Sequence, residues 1–153
     1  MDGSLGLQLI VASGMVALTI LIHLGGLSAL VWMMRRHTVT ALTPRARLRQ
    51  AMTLVGAAFG LFALHSVEIW AYASLYVLLG ALHGFQDALY FSTATYTTVG
   101  YGDLTLGRDW RILGAIEGAN GVILLGWSTA FFVSVVARIR ALEHEPKAEE
   151  PSA

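Results

Sequence analysis

Tyr96-Thr97-Thr98-Val99-Gly100-Tyr101-Gly102-Asp103 is the stretch on which the reading of this 153-residue chain turns. Gly100 and Gly102 alternate with Val99 and Tyr101. Glycine enters the φ > 0 region as readily as its mirror, whereas other L residues resist it. With every second residue in the mirror conformation, successive carbonyls turn to one side instead of alternating. Thr98 adds a hydroxyl to its own carbonyl at one end. The product is a row of oxygens able to replace the hydration shell of a cation. Val99 and Tyr101 then point outward into protein, where a branched side chain and a phenol can hold the row open. A phosphate-binding loop is the competing reading, but no Lys-Ser or Lys-Thr pair follows and no strand precedes it.

Composition says where such a row would sit. The chain is 56% hydrophobic and 13% charged, with mean hydropathy +0.63, well away from soluble averages. It reads as an all-α integral membrane protein. Ten acidic and ten basic residues cancel, so charge distribution is more informative than net charge. Without cysteine there are no disulfides, thiolate metal sites or thiol chemistry. No nucleotide loop, metal motif or Ser/His/Asp order points to an enzyme, and no cofactor or nucleic-acid partner is expected.

Leu5 to Met34 contains His23 as its only chargeable residue, and about 20 apolar residues suffice to cross a bilayer. Segment 1–34 is therefore expected to be a first transmembrane helix, with Gly14, Gly25 and Gly26 available for close helix approach. Segment 35–50 is a basic loop with five arginines (Arg35, Arg36, Arg45, Arg47, Arg49), the mark of a cytoplasmic face. Their spacing lacks a voltage sensor's regularity, and they lie outside the apolar spans. Segment 51–140 holds a second span to about Leu79 and a short turn to Phe85. A helix from Gln86 to about Thr97 follows, too short to cross. The quoted stretch comes next, then a third span from Trp110 to about Ala137. A short helix at membrane depth is allowed where protein buries it and its continuation lines a watery path. Segment 141–153 is expected to be a short disordered cytoplasmic tail. Arg138 and Arg140 join the cytoplasmic count, against Arg108 and Arg111 outside. The expected orientation has the N-terminus outside and the C-terminus cytoplasmic, in the cell membrane and in contact with its lipids.

From about Leu75 to Arg140 the order of helix, short helix, Thr98-Val99-Gly100-Tyr101-Gly102 and helix resembles the pore domain of the potassium-channel family with two transmembrane helices per pore. The seven residues from Thr97 to Asp103 would arise by chance at a given position on the order of once in 10⁸. The resemblance implies a homotetramer around one pore, since one such strand cannot enclose an ion. It implies potassium as the permeant ion, coordinated by the carbonyls of Thr98, Val99, Gly100 and Tyr101 and by the Thr98 hydroxyl. Tyr90 and Phe91 would buttress the filter, with Thr97, Gly102 and Asp103 as further support. Asp103 in relatives bonds back toward the pore helix. Ala94 stands where some relatives carry a glutamate, which puts gating through that glutamate in doubt. A less selective cation channel, or a non-conducting regulatory or transporter subunit, are the alternatives; transporters of this kind carry four degenerate units in one chain.

Glu68, Glu117, His65 and Asn120 fall inside apolar spans, where ionisable groups are costly. Glu68 or Glu117 could bond backbone donors behind the filter and control conduction, or could be hydrogen-bonded packing contacts. Glu117 and Asn120 share a helix face. His65 and Glu68, also i, i+3, could sense pH or hold a metal, although two ligands do not make a site. His23 and His83 read as incidental. Gly121 is a candidate inner-helix hinge.

Overall fold

The computed structural model describes residues 5–35 and 44–143. Four helices follow in order: α1 Leu5–Arg35, α2 Pro44–Leu78, α3 Phe85–Tyr96 and α4 Arg111–Glu143. Three of them contain a stretch long and apolar enough to cross a membrane: Leu5–Arg35, Leu48–Leu78 and Arg111–Arg140. The protein is an all-helical membrane protein with three spans and one short helix. The 12 residues of α3 reach only about 18 Å at 1.5 Å per residue, short of the roughly 30 Å hydrocarbon core.

One expected boundary moves. The second helix begins at Pro44 rather than near Ala51, so Arg45, Arg47 and Arg49 lie on the helix and not in a loop. Proline suits a first helical position because its missing N–H would be unpaired there in any case. The loop portion 36–43 and the tail from 144 onward lie outside the described residues.

α3 packs against α2 and α4, while α1 lies along both α2 and α4. The core gathers where these meet: Ala12 and Met15 from α1, Tyr72, Ala73 and Tyr76 from α2, Ala88 from α3 and Leu113 from α4. A second cluster joins Ile69, Tyr96 and Leu124. Helix α1 therefore docks on its own chain. Its buried residues Gln8, Ala12, Met15, Thr19, His23 and Leu30 recur at helical spacing and form one stripe. Gly26, but neither Gly14 nor Gly25, gives close approach: a Cβ there would overlap the Leu64 side chain of α2.

Three polar residues of that stripe stitch α1 to its neighbours, as interhelical hydrogen bonds do in apolar surroundings. The Ile112 N–H donates to Gln8 Oε1 at 3.2 Å, which caps one of the free N–H groups at the start of α4. Asn120 Nδ2 donates to Thr19 Oγ1 at 2.8 Å and to the Tyr72 hydroxyl at 3.3 Å. His23 meets Glu68 on α2.

Candidate functional site

Helix α3 ends at Tyr96, and its last turn continues directly into the glycine-bearing stretch. The Thr97 N–H reaches Thr93 O at 3.1 Å, the Thr98 N–H reaches Thr95 O at 3.0 Å, and the Gly100 N–H reaches Ala94 O at 3.0 Å. Thus Ala94, lacking a carboxylate, still supports the stretch through its carbonyl. Beyond these bonds φ is positive at Thr98 (61°), Gly100 (51°) and Gly102 (78°), but at neither Val99 nor Tyr101. The sign alternates residue by residue. Sequence reasoning gave the mirror conformation only to the glycines; the structure adds Thr98. A β-branched residue held there costs on the order of 1–3 kcal/mol and needs its surroundings to keep it so.

The Val99 and Tyr101 side chains are left largely exposed by their own chain. Val99 is 53% and Tyr101 73% exposed. At its outer end the Tyr90 hydroxyl of α3 donates to Asp103 Oδ2 at 2.8 Å, and Asp103 Oδ1 accepts the Leu104 N–H at 3.0 Å. The bond to Asp103 pushes the Tyr90 phenol above its ordinary pKa, because losing the proton would set two negative oxygens against each other. Phe91 takes a different place from Tyr90: it lies edge-on to Tyr76, 5.3 Å between ring centroids, at the back of α3.

Behind α3 the two intramembrane carboxylates hold separate positions. Glu117, fully buried, accepts from the Tyr76 hydroxyl at 2.6 Å and from Ser92 Oγ at 2.5 Å. Ser92 also faces the Ile69 carbonyl at 3.0 Å, so this knot joins α2, α3 and α4. Glu68, equally buried, accepts from the Tyr96 hydroxyl, the residue next to Thr97. The donors expected on these carboxylates were backbone N–H groups. The bonds found are to side chains, because α3 presents Ser92 and Tyr96 to its neighbours while its backbone N–H groups serve the helix.

One further expectation changes, and one glycine gains a contact. His23 is not incidental: it is fully buried and its Nδ1 lies 2.9 Å from Glu68 Oε1. Gly121 has a packing role, since a Cβ there would overlap the Tyr96 carbonyl oxygen and sit 2.9 Å from the carbonyl carbon. Asn120 shares a face with Glu117 but is bonded to Thr19 and Tyr72 instead. Ser92 escaped sequence reasoning because hydroxyls are commonplace in apolar helices, whereas Tyr72 and Tyr76, expected in an outer aromatic belt, are instead fully buried. The signal for His23 was present: it falls on the stripe of α1 that also carries Gln8 and Thr19.

A family model described as an ion channel matches residues 62–138, just over half of the chain. The match takes in the second half of α2, all of α3, the glycine-bearing stretch and most of α4. No curated protein and no solved structure matches the chain.

Proposed function

Because the chain belongs to the ion channel family, we propose that it forms a potassium-selective pore in which four copies each contribute Thr98 to Tyr101 around one axis. The observation that carries this reading is the alternation of φ sign from Thr98 to Gly102 on a stretch its own chain leaves uncovered. Alternation turns successive carbonyls to one side, and four such strands give each ion two layers of oxygens in place of water. The exposed Val99 and Tyr101 side chains are then covered by the neighbouring subunits. Tyr90 and Asp103 tie the outer end of the strand to α3, with Thr97 and Gly102 completing the backbone at either end. The C-terminal end of α3 places partial negative charge beside the Thr98 end, favouring a cation there. Potassium is cargo in this reading, moving down its electrochemical gradient without an enzymatic step or cofactor.

The arginine bias supports an external N-terminus and a cytoplasmic C-terminus in the cell membrane. No voltage sensor is assigned to the arginines of α2, which lie in its first two turns, Arg45 and Arg47 before the apolar span and Arg49 at its very start.

The test is potassium flux, with sodium as comparison, in liposomes carrying the purified protein, beside Gly100→Asp. Flux that favours potassium, is blocked by barium and is lost in the variant is expected. Equal passage of sodium and potassium would replace this reading with a less selective cation channel. A chain that is only monomeric or dimeric in mild detergent, or tetramers that pass no ion at any pH or voltage, would favour a non-conducting subunit.

A further inference from the structure

Tertiary structure brings a third ligand to the His65–Glu68 pair. His23 arrives from α1, 45 residues away in sequence, and its Nδ1 stands 2.9 Å from Glu68 Oε1. His65 Nδ1 stands 2.9 Å from Glu68 Oε2. One ligand atom from each of the three residues lies within 4.8 Å of the others. We propose that His23, His65 and Glu68 form a binding site for a divalent transition-metal ion of the zinc class, and that its occupancy is felt at the Thr98 end of the filter.

Charge gives the first reason. A carboxylate inside an apolar span requires a cation or a proton. Glu68 is faced by His23, His65 and the Tyr96 phenol, and its two ion-pair partners are both histidines. Both histidines bind hydrogen or a metal through the same nitrogen lone pairs, so the cluster can neutralise its carboxylate either way.

Donor chemistry and geometry give the second. Two imidazoles and one carboxylate are a familiar zinc set, with a fourth position for an oxygen. Ligands about 2.0–2.1 Å from a tetrahedral ion stand about 3.3 Å apart. The two 2.9 Å contacts run to different oxygens of Glu68, so an ion shared by all three residues would open these contacts and draw ligand atoms that stand up to 4.8 Å apart toward about 3.3 Å. The Tyr96 hydroxyl, 3.0 Å from His65 Nδ1, is the nearest oxygen for the fourth position.

The supporting bonds give the third. Ser128 on α4 lies 2.8 Å from His65 Nε2, the kind of outer partner that fixes the orientation of a metal-ligating imidazole. By contrast His23 Nε2 is buried with no hydrogen-bond partner, although buried polar atoms nearly always have one. The ring beside it is that of Trp127, 6.0 Å away between centroids. A small fraction of the His65 side chain, 12%, is exposed on the single chain.

Occupancy reaches the filter through Tyr96. Its hydroxyl is shared between Glu68 and His65, the two ligands an ion would take up, and Tyr96 directly precedes Thr97 and Thr98. Drawing the phenol onto a metal, or releasing it, changes how the last turn of α3 is held.

The test uses the full chain, assembled in mild detergent and stripped of metal with a chelator. It is titrated with Co²⁺ by visible absorption, then with Zn²⁺ in competition. One ion per chain is expected, with tetrahedral Co²⁺ bands that Zn²⁺ erases and binding that weakens in acid, because metal and protons compete for the same ligand atoms. His23→Gln and His65→Gln should each weaken binding at least tenfold, and His83→Gln, in the exposed turn before α3, should not. Each variant is first checked for wild-type assembly; the two alter different helices, and the wild-type titration decides even if one fails to assemble. Absent saturable Co²⁺ binding, or binding untouched in both variants, overturns the site. Flux whose pH response depends on both histidines while Co²⁺ does not bind also overturns it, in favour of a proton site. Zn²⁺ binding that leaves ion flux unchanged overturns the link to the filter. The binding measurement does not depend on potassium selectivity, so its failure is distinct from failure of the proposed function.

Discussion

Replacing Gly121 by alanine adds one methyl group where α4 touches the end of α3. That methyl would overlap the Tyr96 carbonyl oxygen and lie 2.9 Å from its carbonyl carbon and 3.1 Å from its Cα. The obstacle is backbone, so no rotamer change relieves it and α4 must move away from α3. Overpacking of this kind costs about 1–3 kcal/mol, and the helix preference of alanine over glycine returns about 1 kcal/mol. The net expectation is a loss of roughly 0–2 kcal/mol, which still leaves it about 1–3 kcal/mol below a glycine-to-alanine change in open space. Gly126, five residues on along α4, is the matched control, since a Cβ there meets nothing within 4 Å. Gly126→Ala should therefore be neutral or slightly stabilising. The assay is reversible denaturant unfolding of the purified protein, followed by ion flux in liposomes for whichever variants assemble. Gly121→Ala should be the less stable of the two and should alter flux, because Tyr96 leads directly into Thr97 and Thr98. Equal stability of the two variants would refute the close-approach argument. Unchanged stability with altered gating in Gly121→Ala alone would return the position to a hinge.

Other expectations follow from single contacts. Glu117→Gln keeps an oxygen for Tyr76 and supplies an N–H toward Ser92, so unfolding should shift by less than about 1 kcal/mol, whereas Glu117→Ala orphans the Tyr76 hydroxyl and opens a cavity, costing roughly 2–4 kcal/mol; equal losses would show that the hydrogen bonds are not what Glu117 contributes. Thr19→Val and Asn120→Leu, singly and together, should show a coupling of about 0.6 kcal/mol, the usual size for a hydrogen bond between membrane helices; strict additivity would mean that α1 does not dock here. Tyr90→Phe removes the bond to Asp103 and should reduce selectivity or sustained flux while leaving unfolding within about 0.5 kcal/mol, as for other surface changes; a large stability loss would contradict its exposed position.

Local pattern and composition carried much of this protein. Apolar runs longer than a bilayer is thick must span it as helices, because lipid offers backbone groups no partner, so α1, α2 and α4 were readable without coordinates. The short helix and its glycine-bearing continuation were equally readable, since backbone freedom at Gly100 and Gly102 is a property of the residues themselves. Thr98 was the exception: its positive φ is imposed by the turn that follows α3, and nothing in a threonine announces it. The start of α2 at Pro44 was missed because an arginine-rich segment reads as a loop when only hydropathy is weighed.

Tertiary structure decided the partners. An almost wholly apolar helix gives little indication of which face will meet protein and which will meet lipid, so His23 read as a stray residue until α1 was seen against α2. The bonds that matter behind α3 join residues 25 to 101 positions apart: Ser92 to Glu117, Tyr96 to Glu68, His23 to Glu68 and Thr19 to Asn120. Sequence alone showed that Glu68, Glu117, His65 and Asn120 sat at costly depth and needed partners. Which partner each one found depended on how the helices rotate and approach, and that is fixed by packing at positions such as Gly26 and Gly121, where a missing side chain lets another helix come close.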